Sequence, residues 1–181
     1  PVAKQLADTT VRMLAYNGSI PGPTLKVRQG SEVVVHVVNE GDLDTTVHWH
    51  GLRLENRYDG VPHETQAPIP IGGAFTYKVQ FPDAGFYWYH PHVREDFGLE
   101  MGLYGTIIVE PADPSYWPAV DRHLSITLDD LLVEAFAVTL DGAGTRPLAS
   151  AGAPVGTEAA ETLAEVGSDA LEAGEILAFR W

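Results

Sequence analysis

Two short segments carry most of the chemistry that this chain can do: His48-Trp49-His50-Gly51 and His90-Pro91-His92. Each places two imidazoles at i and i+2. In a β-strand that spacing turns both rings to the same face, with Cα atoms roughly 6.5–7 Å apart. Four histidines directed at one point form a metal site, and these four are drawn from only seven in the chain. Neutral imidazole suits zinc, copper, iron and nickel, so residue type alone leaves the metal open. The other three read as structural: His36 inside the run Val33-Val34-Val35-His36-Val37-Val38, His63 in a Pro-rich turn, and His123 ahead of Leu124-Ser125-Ile126-Thr127-Leu128.

The residues between and around the paired histidines must position them. Trp49 lies between two candidate ligands and so points to the opposite face of its strand, where packing is its role. Trp88 and Tyr89 read as core or supporting residues that hold the second ligand strand rigid. Glu95, Asp96 and Glu100 read as surface.

The 181 residues suffice for one full domain and part of another. With 45% hydrophobic residues, 13 Pro and 18 Gly, the composition is globular and rich in turns. A net charge of −14 makes nucleic acid and anionic membrane poor partners. There is no cysteine, which excludes disulfides, thiolate zinc sites and a blue copper site within this chain. No run of 18 apolar residues spans a membrane, and no signal-peptide pattern is read at the start.

The first 110 residues read as short strands, expected at 11–16, 24–29, 31–39, 45–51, 74–81, 86–91 and 103–110. Turn signals separate them: Pro21-Gly22-Pro23, Glu40-Gly41-Asp42, Asp59-Gly60, Gly72-Gly73 and Pro82-Asp83-Ala84-Gly85. The near-continuous apolar run Val33–Val38 predicts a strand buried on both faces. Seven strands at this spacing predict an all-β sandwich, with a turn or short helix over 92–102. Pro111–Pro118 reads as a linker, followed by a strand near 123–128. Residues 141–157 are Gly, Ala, Thr and Pro rich, 158–173 suggest a short helix, and Ile176-Leu177-Ala178-Phe179 is the last apolar piece. The expected division is a domain over 1–112, then a linker plus incomplete second domain or irregular tail over 113–181.

From Asn17 to about Asp130 the sequence resembles the multicopper oxidases, laccase-like enzymes built of cupredoxin domains. Tyr16-Asn17-Gly18-Ser19-Ile20-Pro21-Gly22-Pro23-Thr24 is similar to their N-terminal strand and turn. Thr45-Thr46-Val47-His48-Trp49-His50-Gly51-Leu52 resembles their first copper motif, with Asp59-Gly60-Val61-Pro62 at the family's distance. Gly85-Phe86-Tyr87-Trp88-Tyr89-His90-Pro91-His92 resembles the second motif, and Leu103-Tyr104-Gly105-Thr106-Ile107-Ile108-Val109 the closing strand of the first domain. The resemblance implies a cupredoxin-like Greek-key β-sandwich. It also implies that His48 binds the type 2 copper, that His50 and His90 bind one type 3 copper, and that His92 binds the other. The family reduces dioxygen to water at this trinuclear cluster, with electrons taken from phenolic or metal-ion donors at a separate blue (type 1) copper. Asp59 would take the place of the catalytic carboxylate that helps deliver protons, which a carboxylate beside bound water can do. Asp-Gly is also an ordinary turn pair, and both readings stand at this point.

The chain departs from the family in what it lacks. The cluster needs eight histidines, half from a later domain, and the later His-Cys-His segment that links cluster and blue copper is missing. The resemblance therefore implies a partner: a second cupredoxin domain or subunit carrying that segment, docked on the His48/His50/His90/His92 face, which is expected to be exposed. Family resemblance also implies a periplasmic or extracellular location. Two other readings compete. One is a non-catalytic domain that binds copper or a protein. The other is a cupin, with Gly41, His48, His50 and Glu55 as its first motif and Pro82, Gly85 and His90 as its second, although the spacings are slightly long and His92 is left without a role. A zinc hydrolase is disfavoured because catalytic zinc keeps three protein ligands and an open position.

Overall fold

The computed structural model describes residues 1–6, 9–129, 162–164 and 176–180. An antiparallel hairpin opens the chain, β1 (Val2–Leu6) with β2 (Thr9–Met13). Two sheets follow. One has four strands in the order β3 (Gly22–Arg28), β8 (Gly105–Glu110), β7 (Gly85–His90), β5 (His48–His50). The other has three in the order β11 (Ile176–Arg180), β4 (Glu32–Val38), β6 (Ala74–Gln80). β3 runs parallel to β8, while β5, β7 and β8 pair antiparallel.

Alternation along the strands builds the core between the sheets. Val33, Val35, Val37, Tyr77 and Val79 come from one sheet. Leu25, Val27, Ile107, Val109, Trp49 and Tyr89 come from the other, and all join one buried cluster. This is the β-sandwich expected from the turn spacing. One expectation fails in detail: β4 is not buried on both faces. Its burial alternates, with His36 exposed and its Nδ1 2.9 Å from the Thr76 hydroxyl. The valine run satisfies β-propensity, but only every second member faces the core.

The connections hold the site from below. A short helix, α1 (Glu95–Glu100), falls inside the expected 92–102 window. Asn39 is fully buried and organises the loop that enters β5: its amide nitrogen donates to the carbonyls of Leu43 (2.8 Å) and Ile69 (2.9 Å), and its oxygen accepts from the Gly41 amide. The buried Tyr77 hydroxyl accepts from the Val47 amide at 3.0 Å. Val2–Leu6 was not expected as a strand. The strand expected near 123–128 is the shorter β9 (Ser125–Thr127), paired with β10 (Thr162–Ala164). β10 falls inside the 158–173 segment expected to be helical; there the Ala and Glu content misleads, and pairing with β9 prevails. The rest of that segment, and the Gly-rich 141–157, lie outside the described residues. The last apolar piece forms β11, parallel to β4.

Candidate metal centre

The register of β5 against β7 places His48 opposite His90 and His50 opposite Trp88, with Trp49 opposite Tyr89. Side chains alternate, so His48, His50, Trp88 and His90 share one face while Trp49 and Tyr89 turn into the core. Trp49 is fully buried and meets Tyr77 edge to face with centroids 5.4 Å apart, the packing role expected of it. His92 follows β7 after Pro91, and its ring lies 4.6 Å from that of His48 and 5.3 Å from that of His90. The His48 centroid is 5.6 Å from His50 and 5.3 Å from His90. The four predicted ligands therefore converge, and two strand segments 40 residues apart become one site.

Two of the rings are held by an outer nitrogen bonded to a backbone carbonyl. His48 Nδ1 lies 2.6 Å from the Asp59 carbonyl oxygen, so it donates there and leaves Nε2 as the free lone pair. His90 Nδ1 likewise meets the Pro91 carbonyl at 2.9 Å. His90 Nε2 and His50 Nδ1 stand 3.1 Å apart. Two nitrogens each roughly 2.0–2.1 Å from a shared ion are about 3 Å apart at ordinary ligand angles, so this pair fits one metal. Trp88 stacks on His90 (4.1 Å, 27°) and tilts over His50 (4.8 Å). The Thr46 hydroxyl, fully buried, accepts the His92 amide at 3.2 Å and ties the second ligand segment to the first.

Burial favours the neutral form of two of these rings, His90 and His92. Burial pushes His90 down to about 4, against the opposing pull of its bond to Pro91 and of Glu95. Burial, then the neighbouring His48, also lowers His92. Neutral imidazoles at neutral pH are what a transition metal requires. The ligand face was expected to be exposed. His50 is exposed and His48 and His92 are half-buried, but His90 is 1% exposed, covered where β7 ends under its stacked tryptophan.

Asp59 is both turn residue and neighbour of the site. Gly60 has φ +78°, and a Cβ there would stand 1.9 Å from the Val47 carbonyl oxygen. Only glycine permits this approach, which delivers the Asp59 carbonyl to His48 and its carboxylate to 3.5 Å from the same Nδ1.

Two contributors were not read from the sequence. Thr46 is one. Glu95, read as surface, is the other: its carboxylate lies 3.5 Å from Nδ1 of both His90 and His92. Its spacing of i+3 from His92 is the only trace in the sequence. Asp96 and Glu100 are exposed as expected. His63 and His123 are exposed and apart from the centre, and His63 sits in a turn with its amide bonded to the Gln66 carbonyl. Glu55, the fourth ligand of a cupin, pairs instead with Arg57 at 2.8 Å. It faces none of the histidine clusters, and His92 does join them, so the cupin arrangement does not form.

A β-sandwich with one H-x-H segment on β5 and the other at the end of the neighbouring β7 fits the cupredoxin-type metal site that the sequence resemblance implies. The comparisons agree. The multicopper oxidase family profile matches residues 2–114. Multicopper oxidase MmcO of Mycobacterium tuberculosis is 41% identical over 133 residues, 72% of this chain and 25% of that protein. Laccase-1 of Botryotinia fuckeliana is 43% identical over 107 residues, 57% of this chain and 19% of that protein. The crystal structure of a multicopper oxidase from Pseudomonas thermotolerans superposes with a TM-score of 0.66 at 38% identity, covering 71% of this chain and 31% of that one. The chain belongs to the multicopper oxidase family, whose N-terminal cupredoxin domain it carries and whose cofactor is copper. It spans a quarter or less of the length of these two curated relatives.

Proposed function

We propose that His48, His50, His90 and His92 supply half the ligands of a trinuclear copper cluster. His48 holds the type 2 copper, His50 and His90 one type 3 copper, and His92 the other. The single observation that carries this is the convergence of four imidazoles, two of them with Nδ1 committed to backbone carbonyls so that Nε2 remains for metal. The donor set fits copper, since imidazole nitrogen suits it and the family employs it. When bound, copper supplies the reduction of dioxygen to water with electrons from phenolic or metal-ion donors.

The chain's own residues do the rest. The Asp59 carbonyl orients His48, and the Asp59 carboxylate beside that ring accepts and passes on protons that oxygen reduction consumes. Trp88 stacks on the buried His90 and holds that ring in place. The remaining ligands and the blue copper come from a partner, a second cupredoxin domain or subunit with a His-Cys-His segment, since this sequence has no cysteine. Its place is the face left open by His50. We place the protein in the periplasm or outside the cell, in keeping with the family; no helix among the described residues is long and apolar enough to cross a membrane.

Copper titration of the purified chain tests the ligand assignment. His48→Ala, His50→Ala, His90→Ala and His92→Ala each lower bound copper, while His63→Ala does not. Equal copper in all five variants overturns the assignment.

A further inference from the structure

We propose that Glu95 is a positioning residue of the copper centre: its carboxylate spans the outer nitrogens of His90 and His92 and holds both rings with Nε2 directed to the metal. The inference rests on the reading of these histidines as ligands.

Four observations carry it. Glu95 Oε1 is 3.5 Å from His90 Nδ1, and Oε2 is 3.5 Å from His92 Nδ1, so one carboxylate addresses two ligands through separate oxygens. The backbone is bent to allow this: Arg94 adopts the left-handed conformation (φ 48°, ψ 52°), which folds the first residue of α1 back over His92. Arg94 does not neutralise Glu95; its guanidinium forks onto Asp96, with both contacts at 3.1 Å, so the Glu95 charge remains for the rings. Finally, His92 has no carbonyl acceptor at Nδ1 among the described contacts, unlike His48 and His90, so Glu95 takes the place that a carbonyl fills for those two.

Lying 3.5 Å from each Nδ1, the carboxylate acts on the N–H dipole of the ring. It favours the proton on Nδ1 and leaves the Nε2 lone pair for metal. Carboxylate–histidine–metal arrangements of this kind set ring orientation and ligand basicity, and their loss typically lowers metal affinity about 10–100-fold.

The experiment uses the full 181-residue chain with two readouts. Side-chain nitrogen shifts of His90 and His92 in the metal-free protein report which ring nitrogen carries the proton. Competition titration with copper alone reports affinity. In Glu95→Ala the His92 proton is expected to redistribute toward Nε2 and copper affinity to fall about tenfold or more. Glu95→Gln, whose amide oxygen still accepts an N–H, restores part of both. Asp96→Ala removes the same charge from the same helix turn and changes neither. Thermal unfolding confirms that the variants fold. If Glu95→Ala leaves the His92 tautomer and copper affinity as in the parent while His92→Ala still lowers copper, the role of Glu95 is overturned and the ligand reading stands. If His92→Ala also leaves copper unchanged, the ligand reading fails, and Glu95 with it.

Discussion

Gly60 packs against the Val47 carbonyl so closely that any side chain would enter its oxygen, and this contact delivers the Asp59 backbone to the Nδ1 of His48. The first predicted consequence is a glycine effect read at a metal site. Gly60→Ala must move the turn, combining left-handed strain with overpacking, and is expected to cost about 3 kcal/mol. Chemical denaturation measures the loss. Copper affinity should fall as well, because His48 loses its carbonyl acceptor; an unchanged affinity in a destabilised protein would separate the turn from the site.

Ligand loss and strand loss should behave differently. His92→Ala removes copper while leaving the unfolding midpoint close to the parent, since the ring is half-buried and packs on other histidines. His36→Ala should change stability by no more than about 0.5 kcal/mol, because His36 is exposed and meets only the Thr76 hydroxyl among its described hydrogen bonds. Copper counting and urea melts on both variants check this. A large stability loss for His36→Ala would contradict the burial pattern of β4.

Thr46→Val keeps the shape of a fully buried side chain but removes the acceptor of the His92 amide. Leaving that amide without its partner costs about 1–3 kcal/mol. Amide exchange at His92 should accelerate in this variant beyond the change at distant strands.

Acid should destabilise the domain through His90. Its folded pKa is about 4 against 6.5 for the free side chain. Between those values the unfolded chain binds a proton that the folded chain refuses. The contribution is therefore fully present above about pH 6.5, declines as pH falls toward 4, and is gone below. His92 shifts in the same direction. Urea midpoints from pH 7 to 4 should fall more steeply for the parent than for His90→Gln. Parallel curves would mean that His90 does not titrate as its burial requires.

The amino-acid sequence by itself determined the local half of this protein. Strand periodicity put His48 and His50 on one face and Trp49 on the other, because successive side chains in a strand alternate whatever the strand pairs with. Turn residues marked nearly every strand boundary, and the order of motifs sufficed for the family. Tertiary structure decided what depends on partners distant in the chain. The pairing of β5 with β7 made His48 face His90. Coverage of one face only left His36 in solvent although its neighbours in sequence are valines. Thr46 came to hold the His92 backbone, and the Asp59 carbonyl and Glu95 came to lie beside the rings, because folding brought their oxygens there. A backbone carbonyl carries no side-chain signature, and a glutamate in an acidic run reads as solvated until the chain bends it onto a histidine.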